Sequence, residues 1–213
     1  MSSITGGRGM DGEVDNSRDG NRLGTISNVI KFTILNRCVH AIDTMLNDRS
    51  SIDSISIEHI TLDDIYERFD PEHVVFAVYI KGIGEITLTL LLVIEVEDGK
   101  RLASILIGNT IGNAEADELA TSAIAEFGNI LLAGAFTNAL THFTGFRIDC
   151  TAPGYAKDSL ASILEYIIAD SDSTEFIYAD GKLSFMTNKD FVLHISVLIP
   201  SEDAKKLVDA MFR

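Results

Sequence analysis

Residues 118–143 read ELATSAIAEFGNILLAGAFTNALTHF, and the distribution of side chains in this stretch governs how the rest of the chain is read. At about 100° per residue its side chains sort onto two faces of a helix. Ala120, Ile124, Phe127 and Leu131 share one face, which predicts a helix seated on a sheet. Ser122, Glu126 and Asn129 form a narrow stripe on the other, at i, i+4 and i+7. Ala133 continues the stripe and Ala125 flanks it, so nothing bulky crowds the two polar side chains. Gly128 and Gly134 fall nearer the buried side. Glycine inside a helix costs about 1 kcal/mol relative to alanine, so the pair predicts close approach of another element.

Working outward, the helix opens the second of two halves that can be laid over each other. Long helical patterns span 27–46 and 114–143, and strand-like segments follow at 54–61 and 145–151. Short helical stretches come next, at 63–69 and 157–170. Two apolar strands then form a hairpin in each half: 73–80 with 85–97, and 175–178 (extending towards Met186) with 191–199. Lys81-Gly82 and Thr187-Asn188-Lys189 are the expected turns. Each half closes with a similar helix, DGKRLASILIG at 98–108 and SEDAKKLVDAMF at 201–212. Ser201, Glu202 and Asp203 follow Pro200, where an N-terminal cap and first turn want them.

The fold class expected is α+β (α/β): two helix–strand–helix–strand–strand–helix units of about 90 residues, related by a pseudo-twofold axis. The hairpin strands are apolar on both sides, so the long helices are expected to pack on a central, largely antiparallel sheet. Residues 1–24, rich in Gly, Ser, Asp, Asn and Arg, read as a disordered tail. Residues 25–213 read as one domain made of the repeats 25–110 and 111–213.

Composition narrows the function. Hydrophobic residues make up 46% of the 213, which argues for a folded chain. The run 86–96 is far too short to span a bilayer, and no charged-then-apolar leader opens the sequence. Cys38 and Cys150 are not spaced as a metal or redox pair and read as reduced, buried thiols of a cytoplasmic protein. With 32 acidic against 17 basic residues the net charge is −15. That excludes the basic footprint of a nucleic-acid binder and disfavours an anionic membrane, while suiting a partner that presents positive charge.

An isolated Glu-x-x-Asn is ordinary on a solvated helix face. Here it stands in a longer pattern: Ser122, three residues, Glu126, two residues, Asn129, twenty-three residues, Pro153. The pattern resembles the signature helix of the CheC/CheX/FliY phosphatases, in which Asp or Ser, Glu, Asn and then Pro after about twenty-two residues recur. The wording AEFGNILLAGAFTNALTHFTG resembles that family as well, and the duplicated halves extend the likeness over Thr25 to Arg213. The one extra residue before Pro153 is a departure.

The resemblance implies a phosphatase that hydrolyses the aspartyl phosphate of a chemotaxis response regulator, CheY. By that likeness Asn129 would hold a water in line with phosphorus, and a side-chain amide can both donate to and accept from such a water. Glu126 would pair with the receiver's active-site lysine and set the docking register. Ser122 and Pro153 would be supporting members of the motif. The chain would need no cofactor of its own, since Mg²⁺ would be carried by the receiver.

The first half departs from the pattern. Aligning Asn36 with Asn129 puts Thr33 at the Glu126 position and Val29 at that of Ser122. Anchoring Ala41-Ile42 on Ala139-Leu140 instead puts Lys31 opposite Asn129 and Asn28 opposite Glu126. The Glu is missing in both registers, so the first site, with Thr33 and Asn36, is expected to be degenerate. The resemblance also implies a second reading, from a different class: a non-catalytic adaptor or regulator that binds the deamidase CheD, as related proteins of that family do. The histidines at 40, 59, 73, 142 and 194 show no paired ligand spacing, and no metal site is expected. Around Gly108, Asn109 and Gly112 there is no Walker lysine or G-x-G-x-x-G, and no serine stands in a G-x-S-x-G setting. Monomer and dimer both remain open.

Overall fold

The computed structural model describes residues 36–108, 114–169 and 171–211. The expected tail, Thr33 and residues 27–35 of the first helix lie outside them. The elements in order are α1 (Asn36–Leu46), β1 (Ser50–Thr61), α2 (Ile65–Arg68), β2 (Val74–Gly84), β3 (Thr87–Glu95) and α3 (Val96–Ile107). The second half carries α4 (Ala114–Asn129), a π-helical segment (Ile130–Phe136) and α5 (Thr137–Thr144), followed by β4 (Ile148–Cys150) and β5 (Gly154–Ser159). It continues through α6 (Leu160–Ala169), β6 (Glu175–Phe185) and β7 (Val192–Pro200) to α7 (Ser201–Met211).

All seven strands form one antiparallel sheet in the order β1-β6-β7-β3-β2-β4, with β5 also on β2. The α+β class and the two-unit plan are therefore as the patterning predicts. The order is symmetric about the β7–β3 seam, where Leu91 faces Ser196. Each half passes its first strand to the other: β1 pairs with β6, and β4 and β5 pair with β2. Neither hairpin is complete without the opposite half.

Two apolar clusters cover the two faces. One joins α1, α3, the α4–α5 helix and α7 to Val78, Leu90, Leu92, Ile195 and Val197 of the sheet. The other is smaller and seats α2 and α6 on Ala77, Leu91, Val93 and Leu198. Burying side chains of this size contributes about 1.5–3 kcal/mol each, so the two clusters are the main restraint on where the helices sit.

A duplicated polar device marks the pseudo-symmetry. The closing helices share the wording EDGKRL (97–102) and EDAKKL (202–207). Asp98 Oδ2 accepts the backbone N–H of Val192 at 3.1 Å, and Asp203 Oδ2 accepts that of Thr87 at 2.7 Å. Each aspartate is buried and thereby fastens its helix to the first residue of the other half's central strand. Arg101 and Lys206 pair with these aspartates one turn later. Asp203 thus serves the neighbouring strand rather than only its own helix start.

Several local expectations are corrected. Lys81 and Gly82 are strand residues, and the β2–β3 turn lies at Glu85-Ile86. Gly82 is glycine because β4 crosses closely there: a Cβ would stand 2.8 Å from Ile148 Cγ2. Residues 157–159 belong to β5 rather than to a helix. The helix begins only at Leu160, where Ser159 Oγ caps it by accepting the N–H of Ser162 at 3.1 Å. Cys38 is buried, whereas Cys150 is only half-buried. The helix Glu118–Thr144, with mean hydropathy 1.4, is long and apolar enough to cross a membrane. Here it lies along the sheet, on which its apolar face is buried.

Candidate functional site

The α4 face that carries the site is set by what lies beneath it. Ile124, Phe127 and Leu131 are buried in the larger cluster. Gly128 lets the helix settle on β2, since a Cβ there would meet Val78 Cγ1 at 2.7 Å and Cβ at 2.8 Å. The packing reason inferred for Gly128 holds. For Gly134 it fails, because nothing lies within 4 Å of a Cβ built there.

With that face down, Ser122 and Glu126 are exposed and Asn129 is half-buried. Among the described residues neither Glu126 nor Asn129 has a hydrogen-bond or ionic partner. One turn apart, their Cβ atoms are about 5–6 Å from each other. The pair offers an amide, which both donates and accepts, beside a carboxylate, which accepts only. Such a pair can hold a water and a cation side by side. Leu119 and Ile130, 52% and 45% exposed, frame Glu126 at i−7 and i+4. Neither belongs to the polar stripe, although each lies within roughly 40° of Glu126 on the helical wheel, which is the signal in the sequence for an apolar rim.

Pro153 is exposed in the short loop between β4 and β5. That loop is anchored to β2: the Thr151 N–H donates to Lys81 O at 2.9 Å, and the Lys81 N–H donates to Thr151 Oγ1 at 3.1 Å. Two residues after Pro153, Tyr155 stands beside Thr121 of the helix, the neighbour of Ser122. Burial raises the Tyr155 phenol above its ordinary value, and the Thr121 hydroxyl only partly opposes this. The start of β5, directly after the Pro153 loop, thus lies beside the N-terminal part of the helix that carries the polar stripe.

Directly after Asn129 the helix widens into π turns over Ile130–Phe136, which the periodicity alone did not predict. The signal lies in the buried row Gly128, Leu132, Phe136 and Leu140. Steps of four would carry an α-helical row about 40° round at each step, and the wider turn absorbs that drift. Thr137 closes the segment: its N–H and its Oγ1, at 3.1 Å, both donate to Leu132 O. Thr137 Oγ1 also lies 3.2 Å from Cys150 Sγ, which ties the widened turn to β4.

In the first half, α1 begins at Asn36 within the described residues. Its C-terminal residue is followed by Asn47 at φ 49°, the left-handed cap that Gly145 supplies after α5 at φ 73°. Superposing these caps gives the register that places Ala41 on Ala139 and Asn36 opposite Gly134. On that register the counterparts of Glu126 and Asn129 fall outside the described residues. No three His, Cys, Asp or Glu side chains among the described residues are placed to share a metal ion.

Residues 119–155 match the model of the CheC-like family, a span that holds Ser122, Glu126, Asn129 and Pro153. Among solved structures, the chain is similar to FliY of Thermotoga maritima, with TM-score 0.65 and 12% identity over 90% of this chain and 96% of that one. It is similar to CheX of Borrelia burgdorferi, determined in complex with CheY, BeF3 and Mg²⁺, with TM-score 0.51 and 19% identity over 78% and 95% of the two chains. The FliM middle domain of H. pylori is a further match, with TM-score 0.55 and 10% identity over 90% and 98%.

Proposed function

We propose that this chain, a CheC-type chemotaxis protein by its family segment and its fold, accelerates hydrolysis of the aspartyl phosphate on a CheY receiver. The observation that carries the reading is the pairing of an exposed Glu126 and a half-buried Asn129, without side-chain partners among the described residues, on one helix face inside the family segment. Asn129 orients the attacking water through its amide, and Glu126 pairs with the receiver's lysine. Mg²⁺ would be held by the receiver and would offset charge on the phosphoryl group. Leu119 and Ile130 add apolar contact around Glu126, and the start of β5, after the Pro153 loop, lies beside the same helix. On this reading the chain works in the cytoplasm, with residues 25–213 acting as one unit and the first half, which lacks the Glu in either register, inactive.

The test is decay of a purified phospho-receiver with and without the chain. Asn129→Ala is expected to lose about a hundredfold or more in kcat, the scale of one removed transition-state donor. Glu126→Ala is expected to act mainly on KM, by roughly tenfold, the scale of one charge-assisted hydrogen bond. Decay unaffected by wild-type chain would sink the reading. The alternative is a non-catalytic adaptor that binds CheD; the fold shared with the FliM middle domain allows a non-catalytic role. Co-purification with CheD by the Asn129→Ala variant, without any phosphatase activity of the wild type, would select it.

A further inference from the structure

The sheet face away from α4 is apolar beneath α6 and polar beyond it, towards β1. There a cavity of about 310 Å³ opens, at the lower end of the size range of small-ligand sites. Its floor is a chain of hydrogen bonds across β6 and β7. Tyr178 Oη donates to Ser196 Oγ at 3.1 Å, and Ser196 Oγ donates to Asp180 Oδ1 at 2.7 Å. His194 Nδ1 lies 2.7 Å from the other oxygen of Asp180. Tyr178 and Ser196 are buried, in positions where stability alone would favour apolar side chains.

A second imidazole repeats the arrangement: His73 Nε2 lies 2.8 Å from Glu95 Oε1. A carboxylate can only accept, so each neutral imidazole donates from the nitrogen facing its acid and presents the other as an acceptor. The remaining charged lining is Glu58, paired with Arg68, and Asp70. Four carboxylates against one guanidinium leave −3 with neutral imidazoles. Phe69 and Tyr178, edge to face at 5.4 Å, supply an aromatic wall. The cavity is therefore rich in acceptors, negative and partly aromatic. Its complement is a planar cation rich in donors, which forks onto carboxylates and lies against rings.

We propose that this cavity binds a guanidinium group, either from free arginine or from an arginine side chain of a partner. The site is separate from the Glu126–Asn129 helix and does not depend on the phosphatase reading. The test follows the histidine ring resonances of the full chain while L-arginine, glycyl-arginyl-glycinamide or L-citrulline, the neutral isostere, is added. The expected result is saturable shifts of His73 and His194 with the two guanidinium probes, and binding at least about tenfold weaker with citrulline. Asp180→Asn and Glu95→Gln should each weaken arginine by about tenfold, while Asn129→Ala leaves it unchanged. Glu95 is half exposed, so Glu95→Gln carries the test if Asp180→Asn fails to fold. Tighter binding of the tripeptide assigns a partner side chain, and tighter binding of the amino acid assigns a free ligand. No saturable shift, equal shifts with citrulline, or full binding by folded Glu95→Gln would overturn the proposal.

Discussion

Gly128→Ala and Gly134→Ala make the same change on one continuous helix and should move stability in opposite directions. Replacing helical glycine by alanine contributes up to about 1 kcal/mol of stability when the new methyl has room. At Gly134 nothing lies within 4 Å, so that gain should be realised. At Gly128 the methyl would stand 2.7 Å from Val78 Cγ1, 2.8 Å from Val78 Cβ and 3.1 Å from Val78 Cγ2. Carbon atoms at optimal contact are about 3.5–4.0 Å apart, so all three contacts are too short. Val78 sits in β2 between β3 and β5 and cannot withdraw. Overpacking of this kind costs about 1–3 kcal/mol. After the helix gain, Gly128→Ala should destabilise by up to about 2 kcal/mol. Urea unfolding followed by circular dichroism would then separate the two variants by about 1 M in midpoint. In a Val78→Ala background the clash is removed and Gly128→Ala should become stabilising. If Gly128→Ala stabilised the wild-type chain as much as Gly134→Ala does, the close seating of α4 on β2 would be wrong.

Asp98→Ala and Asp203→Ala each strand a strand-initiating N–H, of Val192 and Thr87, and should each cost about 1–3 kcal/mol in urea unfolding. The two N–H groups lie at opposite ends of the β3–β7 seam, so the double variant should show additive losses. Asp48 is buried at the start of β1. Burial opposes its ionisation, but hydrogen bonds from Thr187, Arg49 and Asn188 outweigh this and hold the carboxyl below the usual carboxylate range. A lowered folded pKa stabilises the chain above the unfolded value of about 3.9, and that contribution is lost as pH falls through the folded value. Asp48→Asn should therefore lower stability at neutral pH and flatten the acid limb of a midpoint-against-pH curve. Thr137→Val removes the hydroxyl that meets Leu132 O and Cys150, and should cost about 1 kcal/mol. On the phosphatase reading it should also lower kcat with KM little changed, and Thr137→Ser should restore both stability and rate.

Much of the fold is written in local patterns. The seating of Ile124, Phe127 and Leu131, the two apolar hairpins and the matching closing helices follow from side-chain period and repeated wording, which each segment carries by itself. The polar stripe of Ser122, Glu126 and Asn129 is legible for the same reason. Errors arose where a residue's reason lies in a distant element. Gly82 read as a turn because β4, whose approach requires the glycine, is more than sixty residues away in sequence. Residues 157–159 read as helix because their pairing with β2 leaves no local mark. Gly134 read as a contact because glycine alone does not reveal whether a neighbour is present.

By itself, then, the sequence determined that Glu126 and Asn129 share one uncrowded helix face in the second of two similar halves. The tertiary structure alone decided what surrounds that face. Strand exchange between the halves, the approach of Tyr155 to Thr121 after the Pro153 loop and the π turn after Asn129 all depend on pairings between remote residues. The cavity floor at Tyr178, Asp180 and His194 belongs with these, because those residues meet only across the β6–β7 ladder. The physical reason is the same in each case. Hydrophobic period is a property of a segment, whereas strand partners are chosen by the free energy of the assembled sheet.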